Sequence, residues 1–334
     1  MISKTEMDRR FIILDELEHL GKKKQVNSIK PLVSVSVATY EQEDFIRECL
    51  EGILMQKTNF DFEIVIGEDE SNDKTREICK EYAEKYPDKI RLFLRDRKLT
   101  ALYDSKGQFY KSLNGTVTFL SCRGKYIALC EGDDYWTDPL KLQKQVEFLE
   151  SNPEFGICFH NVIQLNTFDT SKSVVIPNVN YDLDYTLENY ILSNKTATCS
   201  IVLKKECVNT IPRWFYKVPF GDLALILLVM NNSNEKGRVL KDLMGVYRIH
   251  KGGIHGSFHK DDKSLIKAYI QHVSFTKIIS KEFLVEKKYQ KIILKKMLNT
   301  YHVLTTLYKK ENNKLQFYKT FLLVKYYKLK LKFI

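Results

Sequence analysis

Residues 126–136, YIALCEGDDYW, end a short apolar run in three carboxylates within four positions: Glu131, Asp133 and Asp134, with Gly132 allowing a tight turn between them. Like charges this close repel, so such a loop is costly unless a cation or strong donors neutralise it. Oxygen-only ligands suit Mg²⁺ or Mn²⁺, held by one or two carboxylates while substrate phosphates complete the shell. Taken alone, the stretch reads first as a solvated acidic turn ahead of a helix. A second acidic loop, residues 67–73 (GEDESND), offers Asp69 as an acceptor for a nucleobase or ribose, while its Asp73 suits a helix cap. The third, residues 39–43 (TYEQE), has no glycine and is neither a P-loop nor a GxGxxG turn.

Elements that would hold these loops are legible upstream of each. Residues 32–38 (LVSVSVA) alternate at period two and read as a strand, as do 62–66, 90–94, 125–130 and 155–162. Between them, 44–56 gathers Phe45, Cys49 and Ile53 beside Ile46, Leu50 and Leu54 on one helical face. Residues 73–86 form a second helix ahead of Pro87, and 139–150 a third, with Pro139 in its first turn and Asp138 placed to cap it. Alternation of this kind predicts an α/β fold with a largely parallel sheet and crossover helices. Ligands then bind outside the carboxyl ends of the strands, where all three acidic loops fall.

Composition narrows the class. With 334 residues, 44% hydrophobic and 28% charged, the chain suits one large α/β domain with appendages, or two modest ones. Its net charge of +11 is carried by residues 281–334, which hold 14 Lys and 3 Glu; residues 1–280 are neutral. No basic stripe covers the body, so nucleic acid is not an expected partner. Seven cysteines without a CxxC pair indicate neither a zinc knuckle nor a disulfide framework, and point to a reducing cytoplasm. The first ten residues lack a signal-like apolar stretch, and the longest apolar run, residues 223–230, covers eight positions where a span needs about 20.

The series VSVATYE, IVIGEDESNDKT and GKYIALCEGDDYWTDPLKLQKQVEFL, followed by PFGDLALILL and GVYRIHKGGIHGS, resembles the family-2 glycosyltransferases of GT-A fold. The likeness is strongest over residues 31–160. It implies a mostly parallel central sheet flanked by helices, an inverting transfer from a nucleotide-sugar donor, UDP by analogy, and a divalent metal. Thr39, Tyr40 and Glu41 match the first nucleotide-binding segment and Asp69 the second, near the base. Glu131-Gly132-Asp133 falls on the Asp-x-Asp motif, with Asp133 on the metal and Glu131, where many members carry Asp, toward the ribose; Asp134 joins the donor contacts. Position 70 is Glu where Gly is frequent. Asp222 becomes the general base, although an Asp beside the apolar helix 223–230 also suits an N-cap. His250 completes the metal shell, Arg248 or Lys251 meets the diphosphate, and the glycines after His250 imply a mobile segment. Arg95, Arg97 and Asn114 approach the nucleotide.

The implied organisation is an N-terminal helix and Lys-rich linker (1–30), a catalytic domain (31–256, with a nucleotide-binding half 31–160 and an acceptor half 161–256) and a helical basic region (257–334). In that last region Ile293, Met297, Tyr301, Leu304 and Tyr308 recur at helical spacing. The basic tail reads either as an appendage packed on protein or as a peripheral anchor on anionic lipid, which a lipid-linked acceptor in cell-surface polysaccharide or glycolipid synthesis would require. Two other functions compete. A sugar nucleotidyltransferase resembles a Gly-rich N-terminal loop, and residues 32–50 have no glycine. A non-catalytic nucleotide-sugar-binding module would have no need of Asp222.

Overall fold

A computed structural model describes residues 4–19, 30–103, 106–107, 109–208, 210–253, 256 and 261–333. The Lys-rich linker therefore falls largely outside the described residues, as does part of the glycine segment after His250. Two compact units form. The first takes in the chain up to Tyr185, Thr196–Asn209 and Leu228–Arg248; the second comprises Thr186–Lys195, Thr210–Leu227 and the chain from Ile249.

In the first unit, helix α1 (Lys4–Asp15) leads to strand β1 (Glu18–His19), and a large sheet follows. Strands β2 (Val33–Thr39), β3 (Phe62–Glu68), β4 (Ile90–Leu94) and β7 (Tyr126–Leu129) lie in the order β4-β3-β2-β7, and all three pairings are parallel. Helices α2 (Ile46–Leu54) and α3 (Thr75–Lys85) are the crossovers between β2, β3 and β4, while β5 (Ala101–Tyr103) and β6 (Phe109–Ser112) form a separate hairpin ahead of α5 (Asn114–Leu120); the short α4 (Arg97–Thr100) precedes that hairpin. The parallel central strands match the sequence expectation. Beyond them β9 (Ile157–Asn166) is followed along the chain by β10 (Val174–Ile176) and β11 (Leu183–Thr186), and β12 (Val202–Lys204) runs antiparallel to both β7 and β9.

β2 is buried along nearly its whole length, serines included, because both of its faces are covered. Val33, Val35 and Val37 join Ile46, Leu50 and Ile53 of α2 in one core, while Ser34 Oγ bonds the buried Glu63 carboxylate at 2.6 Å. Helix α2 approaches strand β8 (Tyr135–Trp136) so closely that a Cβ on Gly52 would sit 2.8 Å from the Trp136 carbonyl. That contact fixes the far side of the acidic loop. The long strand β13 (Lys236–Ile249) pairs β8 through Gly245 and Val246, which brings Arg248 beside the same loop.

Helix boundaries shift from the sequence expectation by a residue or two. The helix α6 is Lys141–Ser151, so Pro139 precedes it, and Asp138 Oδ1 accepts the Leu140 N–H at 2.8 Å in a turn ahead of the helix. The short helix α7 (Leu187–Leu192) belongs to the second unit, and α8 is Gly221–Asn231. Three long helices close the second unit: α9 (Asp262–Glu282), α10 (Lys287–Lys310) and α11 (Lys314–Leu331). Ile293, Met297, Tyr301 and Leu304 are buried on α10, as their spacing predicts. No described helix is long and apolar enough to cross a membrane.

Candidate active site

The order β3-β2-β7 sets the three acidic loops side by side at the carboxyl edge of the parallel strands. Backbone bonds extend the ladder into them: Asp69 N–H donates to the Thr39 carbonyl (3.1 Å) and Gly132 N–H to the Ala38 carbonyl (3.1 Å). The first loop therefore lies between the other two. Gly132 is required by this crowding. A Cβ there would lie 2.7 Å from Thr39 Oγ1 and 2.5 Å from Gln42 Oε1, and its φ is outside the left-handed region, so close approach rather than turn geometry explains the glycine.

Glu131, Asp133 and Asp134 each bring a carboxylate oxygen within 4.8 Å of the others. Glu131 and Asp133 reach solvent, but Asp134, expected among the donor contacts, is fully buried. One of its oxygens, Oδ1, accepts the Arg248 N–H at 2.9 Å, while Oδ2 has no hydrogen-bond partner. Burial, then the charges of Asp133 and Glu131, hold the Asp134 carboxyl well above the ordinary carboxylate range. An all-oxygen set of three carboxylates with one orphaned buried oxygen fits a hard divalent cation. Lys141, the first residue of α6, is fully buried, with Nζ 3.9 Å from the centre of the Trp136 ring and no hydrogen-bond acceptor; burial pulls it down to about 7.

The structure gives Arg248 a task within the protein. Its guanidinium donates to the Asp133 carbonyl at 2.6 Å, pairs with Glu48 and lies over the Tyr135 ring at 4.3 Å. Arg248 thus ties β13 and α2 to the acidic loop. Glu48 had no sequence signal, since it reads as an ordinary polar position on the outer face of α2.

Asp69 is also buried and heavily engaged. Oδ1 accepts from Thr100 Oγ1 (2.5 Å), and Oδ2 from Arg97 (2.7 Å) and Ser112 (2.9 Å). Burial raises its carboxyl above the usual value, against the lowering effect of these donors. Arg97, in contrast, stacks on Tyr40 with 3.6 Å between guanidinium carbon and ring centre and stays partly exposed, forming a flat cationic wall beside Asp69. Arg95, expected near the nucleotide with Asn114, is instead enclosed: only 1% exposed, it donates to Asn114 Oδ1 (2.9 Å) and Thr118 Oγ1 (2.6 Å). Both Arg95 and Asn114 brace the sheet edge from inside.

Within the first two acidic loops, two acidic positions carry backbone strain. Glu41 has φ 51° and Glu70 φ 60°, in the region that favours glycine. This gives a physical reason for the glycine that the family resemblance implies at position 70. Glu70 is held there by its Oε2, which accepts the Arg97 N–H at 2.8 Å. Strained non-glycine residues in adjacent loops cluster at functional sites.

Asp222 and His250 belong to the second unit. Helix α8 begins at Gly221, with Ala224 N–H bonded to the Phe220 carbonyl at 3.2 Å. Asp222 therefore sits inside the first turn, half-buried, rather than at the N-cap position; its charge there suits the helix dipole. His250 is buried, and a Cβ at Gly253 would lie 3.2 Å from its ring. Close packing around the imidazole thus explains that glycine.

The sequence model described as Glycosyl transferase family 2 matches residues 34–207. An uncharacterised protein of Mycobacterium tuberculosis is 34% identical over 239 residues, covering 69% of this chain; the chain spans 62% of that relative's length. The Escherichia coli UDP-Glc:alpha-D-GlcNAc-diphosphoundecaprenol beta-1,3-glucosyltransferase WfaP is 25% identical over 233 residues, 69% of this chain and 82% of its own. Among solved structures, the mannosyltransferase PcManGT from Pyrobaculum calidifontis, in complex with GDP-Man and Mn²⁺, superposes with a TM-score of 0.53 at 15% identity, over 98% of this chain and 91% of that one.

Proposed function

The chain belongs to glycosyl transferase family 2 and has a GT-A fold, and from that premise we propose that it is a glycosyltransferase that moves a sugar from a nucleoside diphosphate, UDP in the first instance, to an acceptor hydroxyl with inversion. The observation that carries this reading is the carboxylate triad at the edge of the parallel strands, beside the Tyr40–Arg97 stack. WfaP acts on a diphosphoundecaprenol-linked sugar, which supports a lipid-linked acceptor here and a place in cell-surface polysaccharide or glycolipid assembly.

Each group then has work that its chemistry suits. Glu131, Asp133 and Asp134 would hold Mn²⁺ or Mg²⁺, which when bound offsets the charge that develops on the departing diphosphate. Thr39, Tyr40 and Glu41 border the base and ribose, with the exposed face of the Arg97 guanidinium beside them and Asp69 holding that guanidinium in place. Glu131, projecting from the loop, faces the ribose. Arg248 keeps the loop in register rather than reaching the diphosphate itself. Asp222 takes the proton from the acceptor hydroxyl as its oxygen attacks the anomeric carbon, and His250 serves as a further metal ligand; both roles rest on the family resemblance.

Turnover of UDP-, GDP- and dTDP-sugars with and without Mn²⁺ tests the reading. Asp133→Asn should lose at least about tenfold in metal-assisted nucleotide affinity. Asp222→Asn should keep that affinity and lose about 10²-fold or more in kcat. A nucleotide affinity indifferent to metal would overturn the donor site, and near-native turnover by Asp222→Asn would remove the base. Metal-dependent binding without transfer to any acceptor would instead favour the non-catalytic module.

A further inference from the structure

Helix α11 is apolar on two opposite faces. The inner face packs on α10: Thr320 and Val324 are buried, and Tyr327 stacks on Tyr301 with ring centres 5.6 Å apart. The outer face is bare. Leu315 is 64% exposed, Tyr318 62%, Leu322 64%, Tyr326 48%, Leu329 56% and, just past the helix, Phe333 80%. At about 100° per residue these six side chains fall within an arc of roughly 80°, and at 1.5 Å rise they form a stripe about 27 Å long. Core packing within the chain does not account for them, because the helix already buries its other side.

The surroundings of the stripe identify its occupant. Lys319 and Lys330 border one side of it, and Lys314, Lys325, Lys328 and Lys332 the other; residues 314–333 contain no Asp or Glu. Among the described residues none of these six lysines forms an ion pair, and Lys325 and Lys330 lie over the Phe321 and Tyr326 rings at 4.7 and 5.3 Å. A narrow band of Leu, Tyr and Phe between two rows of unpaired cations complements an anionic lipid surface: the leucines enter the acyl boundary, the tyrosines sit at headgroup depth and the lysines snorkel to phosphate. A protein partner of matching shape would need carboxylates along both flanks of an apolar groove, a more demanding surface.

We propose that the outer face of α11 is a membrane-docking surface that lies in the plane of an anionic bilayer. This deepens the reading above by bringing the second unit to the lipid that bears the acceptor. It is read without donor or metal, so its failure is distinguishable from failure of the transferase assignment.

Co-sedimentation of the full chain with phosphatidylglycerol-containing vesicles, and with pure phosphatidylcholine vesicles, provides the test. Wild type should bind the anionic vesicles and leave the neutral ones. The pair Leu322→Ser and Tyr326→Ser should lower partitioning by about tenfold or more. Should that variant fold poorly, the triple change Lys325→Gln, Lys328→Gln and Lys332→Gln, confined to exposed positions, should lower it by about a hundredfold, at roughly fivefold per lysine. Soluble-acceptor turnover should stay unchanged in both. Equal partitioning of wild type and variants, or binding indifferent to lipid charge, would overturn the proposal. So would self-association of the wild type that the serine pair abolishes without any vesicle binding, since the stripe would then belong to a second copy of the chain.

Discussion

Replacing Gly132 with Ala isolates the crowding that shapes the acidic loop. The added methyl would meet Gln42 Oε1 at 2.5 Å, Thr39 Oγ1 at 2.7 Å and Thr39 Cβ at 2.9 Å. The Gln42 amide is the flexible partner, but it accepts the Thr39 hydroxyl at 2.7 Å and would forfeit that bond by swinging away. Thr39 is the end of a buried central strand and has little room to yield. The loop must then move outward by about 0.5–0.9 Å to reach ordinary van der Waals separation, at a cost of roughly 1–3 kcal/mol. The Gly132 N–H, now 3.1 Å from the Ala38 carbonyl, would be drawn off its acceptor. Because Glu131 and Asp133 flank this residue, their oxygens shift with it, well beyond the ~0.2 Å tolerance of metal coordination. Mn²⁺-dependent UDP affinity should fall by about tenfold or more, and kcat/KM by about 10²-fold. The melting temperature should drop by roughly 2–12 °C, at 2–4 °C per kcal/mol. Calorimetric titration of UDP with and without Mn²⁺, beside thermal melts, measures all of this. Gly132→Ala with affinity within about twofold of wild type and an unmoved melt would refute the steric account.

Two further outcomes follow from the buried charges around the loop. Burial lowers Lys141 to about 7 from its ordinary 10.5, so between those pH values the unfolded chain binds more protons than the folded one and stability rises with pH. Lys141→Met should raise stability at pH 7 and remove that rise, up to about 1.4 kcal/mol per pH unit, in urea titrations across pH 7–10; an unchanged slope would count against a buried neutral lysine. Arg248→Met leaves the backbone bond to Asp134 but strips the Asp133 carbonyl and Glu48 of their cation. It should cost about 1–3 kcal/mol and weaken Mn²⁺ binding, and a variant with native melt and native metal affinity would show that Arg248 does not position the loop.

Much of the first unit was legible in the chain because its signals are local. Period-two valines, helical faces and loops rich in carboxylates specify β2, α2 and the three loop positions within a residue or two. The recurring Ile293, Met297, Tyr301 and Leu304 likewise announced α10 before any packing was known. The misreadings share one cause: a side chain's task depends on what lies opposite it. Arg95 and Arg97 are two residues apart on the chain, yet one is sealed behind β3 and the other stacks on Tyr40 in reach of solvent. Asp133 and Asp134 are neighbours, but the turn closed by the Asp134 N–H on the Glu131 carbonyl sends the second inward to β13. The sequence pattern at Asp222 suits a cap, and only the bond from the Ala224 N–H to the Phe220 carbonyl shows the helix already under way.

By itself, the amino-acid order determined the α/β class, the parallel strands, the three acidic loops and the concentration of charge in the last 54 residues, since each is a matter of periodicity or composition. Tertiary structure alone decided which carboxylates converge, which cations they meet and which face of α11 is left bare. Those are contacts between residues as far as 200 positions apart, as Glu48 and Arg248 are, and local pattern carries no record of a partner that only folding brings near.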